Sequence, residues 1–236
     1  MILCLDAGNS RLKWGLHSAG AWLAQGTCTH AQTLAIPDRL PAPPARMVAC
    51  NVAGPEVAAR IEALTALLGV PLDWFRSGAA AGGVRNGYAN PQQLGADRWA
   101  ALIGARRLHP GAAVVVMAGT ATTIDLLDAR GDFQGGLILP GLDLMRQALA
   151  RHTADLPEAR GHHALLPDNT DDAIVSGSIE ATVGAVERMA KRLASRPAGA
   201  GSFLCLLSGG AADQLAPHLE LPLRRVDNLV LEGLAS

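Results

Sequence analysis

The sequence predicts an α/β fold made from two copies of one unit, and three observations lead there. The first is composition: of 236 residues, 49% are hydrophobic and 17% charged, which suits a substantial core and is too apolar for disorder. The second is a repeat. The apolar run Met1-Ile2-Leu3-Cys4-Leu5 ends in Asp6-Ala7-Gly8-Asn9, and Val114-Val115-Val116-Met117 ends in Ala118-Gly119-Thr120, each followed by a second strand-like segment. The third is alternation, because strand-length apolar runs trade places with helical periodicity along the whole chain. Two domains are therefore expected, residues 1–110 and 111–236.

Each element follows from local signals. In the first half, strands are expected at 1–5, 11–17, 47–52 and 72–75, with a helix over 55–68 that opens on Pro55. Asn90 followed by Pro91 reads as the start of another helix. In the second half the strands are 114–120, 122–127, 133–139 and 203–207, and the helices 142–152 and 171–193, the latter capped by Asn169 or Thr170. A further helix follows Ser208-Gly209-Gly210. Loops fall at 41–44, 77–87 and 195–201. The long helix carries Ile174, Val175, Ile179, Val183, Val186, Met189 and Leu193 around its circumference, so burial is expected on several sides, at the centre of the fold and against a second copy.

Charge and cysteine usage exclude several classes. A net charge of −1 and scattered tryptophans (Trp14, Trp22, Trp74, Trp99) argue against nucleic-acid binding. No apolar run approaches the roughly 18 residues of a membrane span, and Asp6 sits too early for a secretory leader, so a cytoplasmic location is expected. Cys4, Cys28, Cys50 and Cys205 form no C-x-x-C pair and read as buried thiols rather than disulfides or a zinc site. His162-His163 lacks a third ligand at metal spacing and reads as a solvated loop pair.

The chemistry gathers at glycine turns and at one acid–base pair. Asp6-Ala7-Gly8-Asn9-Ser10, Ala118-Gly119-Thr120-Ala121-Thr122 and Ser208-Gly209-Gly210-Ala211 each bring backbone N–H groups close to a ligand, as phosphate oxygens require, although any one alone is equally an ordinary hairpin. Walker and Rossmann patterns are absent from those turns. Asp6 at a strand end either orients a metal-bound water near phosphates or caps its turn. Lys13 either meets a phosphate or covers the sheet with its stem. Asp97-Arg98, on or beside an apolar helix stripe, suits a general base with an anion-binding guanidinium, against the alternative of an exposed pair on a helix shoulder.

Taken together, Asp6-Ala7-Gly8-Asn9-Ser10-Arg11-Leu12-Lys13-Trp14, residues 87–98, residues 118–125 and Gly135-Gly136-Leu137-Ile138-Leu139-Pro140-Gly141 resemble the type III pantothenate kinases, in the order that family has them. The resemblance implies a duplicated ribonuclease-H-like (actin-like ATPase) fold, two mixed-sheet domains with ATP in a cleft, and phosphorylation of the terminal hydroxyl of pantothenate, the first step of coenzyme A synthesis. It implies ATP contacts from Asp6, Ala7, Gly8, Asn9, Ser10, Arg11, Leu12, Lys13 and Thr120. It makes Asp97 the catalytic base, assigns pantothenate to Tyr88, Gly95, Ala96, Asp97, Arg98 and Thr170, and implies a homodimer. Magnesium is expected with ATP, held by few direct protein ligands. A monovalent cation, potassium or ammonium, is also a family property, but the aspartate that many members carry three residues before the loop threonine is Met117 here, and a thioether is no ligand for a hard cation. Two other readings compete: the same fold acting on a small sugar or water, and a nucleotide-binding regulatory protein, an accessory transcription factor without kinase activity.

Overall fold

The protein is described by a computed structural model that covers residues 1–196 and 202–236. It divides into two compact units, one of 1–108 with 228–236 and the other of 109–227.

In the first unit, β1 (Ile2–Ala7), β2 (Leu12–Ser18) and β3 (Ala21–Cys28) form an antiparallel meander. β4 (Arg46–Asn51) then pairs parallel to β1. Parallel neighbours cannot be joined by a tight turn, and α1 (Pro55–Leu68) supplies the crossover to β5 (Leu72–Trp74). The sheet order is β3-β2-β1-β4-β5. Its core is built from Leu3, Leu5, Leu12, Trp14, Ile61 and Leu64. The expected loop at 77–87 contains a small hairpin of β6 (Ala80–Ala81) and β7 (Val84–Arg85), too short for alternation to reveal.

The helix expected at Asn90-Pro91 begins later. Asn90 caps a single turn, Pro91–Gln93, through Oδ1 accepting from Gln92 N at 3.2 Å, and Leu94 is extended. The main helix, α2 (Ala96–Leu108), starts only after Gly95, whose carbonyl accepts from Trp99 N at 2.9 Å.

The second unit repeats the plan. β8 (Ala112–Ala118), β9 (Ala121–Leu127) and β10 (Phe133–Pro140) are the meander, followed by α3 (Leu142–His152) and α4 (Thr170–Ala194). β11 (Phe203–Ser208) runs parallel to β8; after the one-turn α5 (Ala212–Leu215) comes β12 (Leu223–Arg225), parallel to β11. The order β10-β9-β8-β11-β12 matches that of the first sheet. Ile174, Val175, Ile179, Val183, Val186, Met189 and Leu193 of α4 are all buried in this unit's own core with Val114, Val116, Ile124 and Leu126. The helix's apolar circumference is thus satisfied within the chain. Part of the expected loop 195–201 lies outside the described residues.

The final helix, α6 (Leu229–Leu234), clusters with the first unit rather than with the C-terminal domain that sequence order suggests. The cause is close helix contact. A Cβ on Gly104 would strike Leu229 O and one on Gly233 would strike Ala100 O, so α2 and α6 meet backbone to backbone. Trp22 Nε1 donates to Glu232 Oε1 at 2.7 Å and locks the segment down.

All four cysteines are free and buried. His163 departs from the solvated pair expected. It bonds Glu180 Oε1 at 2.8 Å and packs against the His218 ring at 3.9 Å between centroids. Among the described residues no group of three metal-binding side chains occurs, and no helix is long and apolar enough to cross a membrane.

Candidate active site

The first unit gathers two carboxylates. Asp6 is buried at the end of β1, where the sheet register sets Lys13 of β2 on one side and Cys50 of β4 on the other. The Cys50 thiol donates to Asp6 Oδ1 at 3.5 Å. Burial pushes the Asp6 carboxyl up to about 6; Lys13 opposes this, the Asp97 carboxylate adds to it, and the Cys50 bond opposes it. Burial, with the Asp6 and Asp97 charges, also pushes the Cys50 thiol well up, so it stays a protonated donor.

Around the turn beyond Asp6, Ala7 and Leu12 are buried in the core, whereas Asn9, Ser10 and Arg11 are exposed. Gly8 N donates to Arg11 O at 3.2 Å, closing the turn. His30 Nε2 donates to Gly8 O at 2.9 Å, which braces the turn from a residue the sequence analysis did not single out. No local motif marks His30, because the contact spans the whole of β2 and β3. Cys50 was legible as a buried thiol, but its bond to Asp6 depends on the parallel register.

The second carboxylate opens α2. Asp97 lies in the first turn, where a negative charge complements the helix N-terminus, and its Oδ1 accepts from Arg98 N at 2.8 Å. A Cβ on Gly95 would lie 2.6 Å from Asp97 Oδ1, so the glycine makes room for this rotamer. Arg98 is only 5% exposed, which excludes the solvated shoulder pair. Its Nη1 donates to the Tyr88 hydroxyl at 3.1 Å, and the guanidinium lies over the Tyr88 ring at 5.8 Å from the centroid. Tyr88, Gly95, Ala96, Asp97 and Arg98 thus form one local group.

In the second unit, the turn after β8 is held by two glycine segments. Gly119 N donates to Ala121 O at 3.1 Å, and Gly141 N donates to Thr120 O at 2.9 Å. Gly209, at φ +109°, leaves no space for a Cβ beside Ala118 O, and Ala211 N donates to that carbonyl at 3.1 Å. The glycine turns at 119 and 209 are therefore neighbours, with Thr120 exposed at the apex. Met117 is flanked by Thr123 and Ser208, and Asp125 is fully buried. Thr170 is exposed at the start of α4, which is capped by Asn169 Oδ1 accepting from Asp172 N at 2.9 Å.

Two sheets of identical order, each with a glycine turn between its first strands, define the class: a duplicated ribonuclease-H-like fold of the sugar kinase and actin-like ATPase type. Among solved structures, the chain is similar to one described as a Baf family transcriptional activator from Campylobacter jejuni (TM-score 0.63, 20% identity, covering 98% of this chain and 94% of that one). It is also similar to a glucokinase from an Antarctic psychrotroph (TM-score 0.51, 13% identity, covering 99% and 97%). Both likenesses concern the fold. The type III pantothenate kinase family model matches residues 2–192. A type III pantothenate kinase of Aromatoleum aromaticum is 54% identical over 237 aligned positions, covering 100% of this chain and 96% of that protein. The chain belongs to the type III pantothenate kinase family.

Proposed function

We propose that Asp97 is the general base of an ATP-dependent pantothenate kinase and that buried Arg98 with half-buried Tyr88 beside it holds the acceptor. Family membership makes the protein a kinase; the observation that carries the residue roles is a desolvated guanidinium, bonded to a phenol, next to a carboxylate on the same helix turn. Arg98 suits the carboxylate of pantothenate, with Gly95, Ala96 and Thr170 as further contacts. The acceptor hydroxyl attacks the γ-phosphorus in line, a carboxylate oxygen of Asp97 takes its proton, the bond to the bridging oxygen breaks and ADP leaves. The turn residues Ala7, Gly8, Asn9, Ser10, Arg11 and Leu12 are the proposed ATP contacts of the first unit, with the Gly8 N–H itself closing the turn onto Arg11 O; Lys13 adds a point charge, and Thr120 is the proposed contact of the second unit's turn.

Asp6 fits a role beside magnesium. It is a buried carboxylate whose ionisation burial disfavours, so a nearby cation relieves the cost, and it would orient an ion-bound water rather than ligate directly. Magnesium, when bound with ATP, neutralises charge spread over the phosphate oxygens. Met117 does not fit a monovalent cation, so potassium or ammonium is not held by this side chain. The protein is proposed to act in the cytoplasm as a homodimer. With α4 satisfied internally, Leu165 and Leu166, about 90% and 92% exposed just before Thr170, supply the apolar contact surface. Sedimentation should show a monomer for Leu165→Asp/Leu166→Asp and a dimer for the parent.

A coupled ADP-release assay over a panel of acceptors tests the function. Pantothenate with Mg-ATP should turn over, sugars and water should not, and potassium or ammonium should change the rate little. Turnover that is indifferent to pantothenate would contradict this reading. The regulatory alternative is not what the family match supports.

A further inference from the structure

Tyr88 sits on a segment with little secondary structure to hold it. β7 ends at Arg85, α2 begins at Ala96, and one short turn lies between. Asn86 supplies what is missing. Its Oδ1 accepts from Tyr88 N at 3.1 Å, its Nδ2 donates to both Gly78 O and Pro91 O at 3.1 Å, and its backbone N donates to Ala79 O at 2.8 Å. One planar amide thereby ties the segment before the small hairpin, the segment before α2 and the backbone of Tyr88 into a single knot.

We propose that Asn86 is the positioning residue of the acceptor site: its amide fixes the backbone of Tyr88 and so decides where the phenol meets Arg98. This rests on the reading that Tyr88 and Arg98 hold the acceptor. Asn86 is assigned no contact with the acceptor, so its influence passes through Tyr88. The side chain must offer two donors and one acceptor in one plane. Aspartate keeps the acceptor but replaces the NH2 that supplies both donors with a single oxygen facing two carbonyls, and serine offers a single donor on a shorter stem. Ser77, whose Oγ donates to Leu94 O at 2.7 Å, ties the same two segments by a bond that bypasses Tyr88.

Tyr88 is the sole tyrosine of the chain, so fluorotyrosine labelling of the full protein gives one ¹⁹F resonance that reports only this side chain. In Asn86→Asp the resonance should move toward its denatured-chain position, and KM for pantothenate should rise about tenfold while KM for ATP holds within about twofold. Combining Asn86→Asp with Tyr88→Phe should raise KM by less than the product of the two single effects, because both act through one contact. Asn86→Ala serves as the second variant should the aspartate fail to fold. An unmoved resonance in a folded Asn86 variant overturns the positioning role, as does an equal rise in both KM values. A resonance that moves in the variant but that pantothenate fails to shift in the parent protein overturns the acceptor reading instead.

Discussion

The last but one residue of the opening strand is Asp6 in one unit and Met117 in the other, and the sheets around them have the same strand order. Asp6 is flanked by Lys13 and Cys50; Met117 is flanked by Thr123 and Ser208. The turn that follows runs from Gly8 to Arg11 in the first unit, closed by the pair Ala7 and Leu12, and only from Gly119 to Ala121 in the second, closed by Ala118 and Thr122. Duplication has thus kept the strand order and a glycine that closes each turn while the turn length and the side chains have diverged. One copy holds a buried acid, a base and a thiol donor; the other holds a thioether and hydroxyls. The acid of the second helix, Asp97, likewise belongs to the first unit, whereas the second unit keeps a buried acid, Asp125, in the middle of β9 rather than at the turn.

The sharpest way to break this asymmetry is to remove the first unit's acids. Asp97→Asn should lower kcat by about 10³-fold, within the range for loss of a general base, with the melting temperature unchanged. Asp6→Asn should lower kcat/KM for ATP by about 10²-fold and at the same time stabilise the protein. The sign follows from the carboxyl being raised from 3.8 to about 6. Between those values the folded chain binds more protons than the unfolded one, so parent stability falls as pH rises through the window. Above it the cost of the buried charge is complete, roughly 3 kcal/mol, and the unfolding free energy of Asp6→Asn should exceed that of the parent by up to that amount at pH 7 but match it near pH 3. Equal stability at both pH values would show that Asp6 is solvated.

Smaller effects sharpen the contrast. Gly95→Ala adds a methyl group 2.6 Å from Asp97 Oδ1, and the flexible carboxylate swings aside more easily than the helix moves. Stability should hold while kcat drops about tenfold, the cost of a displaced catalytic group. Met117→Asp restores an acid to the second copy and should leave the rate without potassium near that of the parent while introducing a potassium response of a few-fold. A potassium response already present in the parent would mean that other groups bind the ion.

Much of this was legible in the sequence because it depends on neighbours in the chain. The proline start of α1, the bounds of α3 and the Asn169 cap are local signals, and the sheets agree with the strand runs. What depends on tertiary placement was not legible. β3 alternates Trp22, Ala24 and Gly26 with exposed residues and buries little else, so its apolar signal is weak. α6 takes its place from glycine contacts with α2. The delayed start of α2 turns on Leu94 and Gly95 leaving the helical path after a proline turn that looks like a helix start. In the site, the Asp97-Arg98 dipeptide could be read, but the burial of Arg98 under Tyr88, the thiol bond to Asp6 and the His30 brace arise only when distant segments meet.

Single-turnover rapid quench of Asp97→Asn, with pantothenate affinity measured alongside by calorimetry, tests the assignment of the base most directly. Pantothenate should bind as in the parent while phosphopantothenate forms about 10³-fold more slowly. Product forming at the parental rate would contradict it.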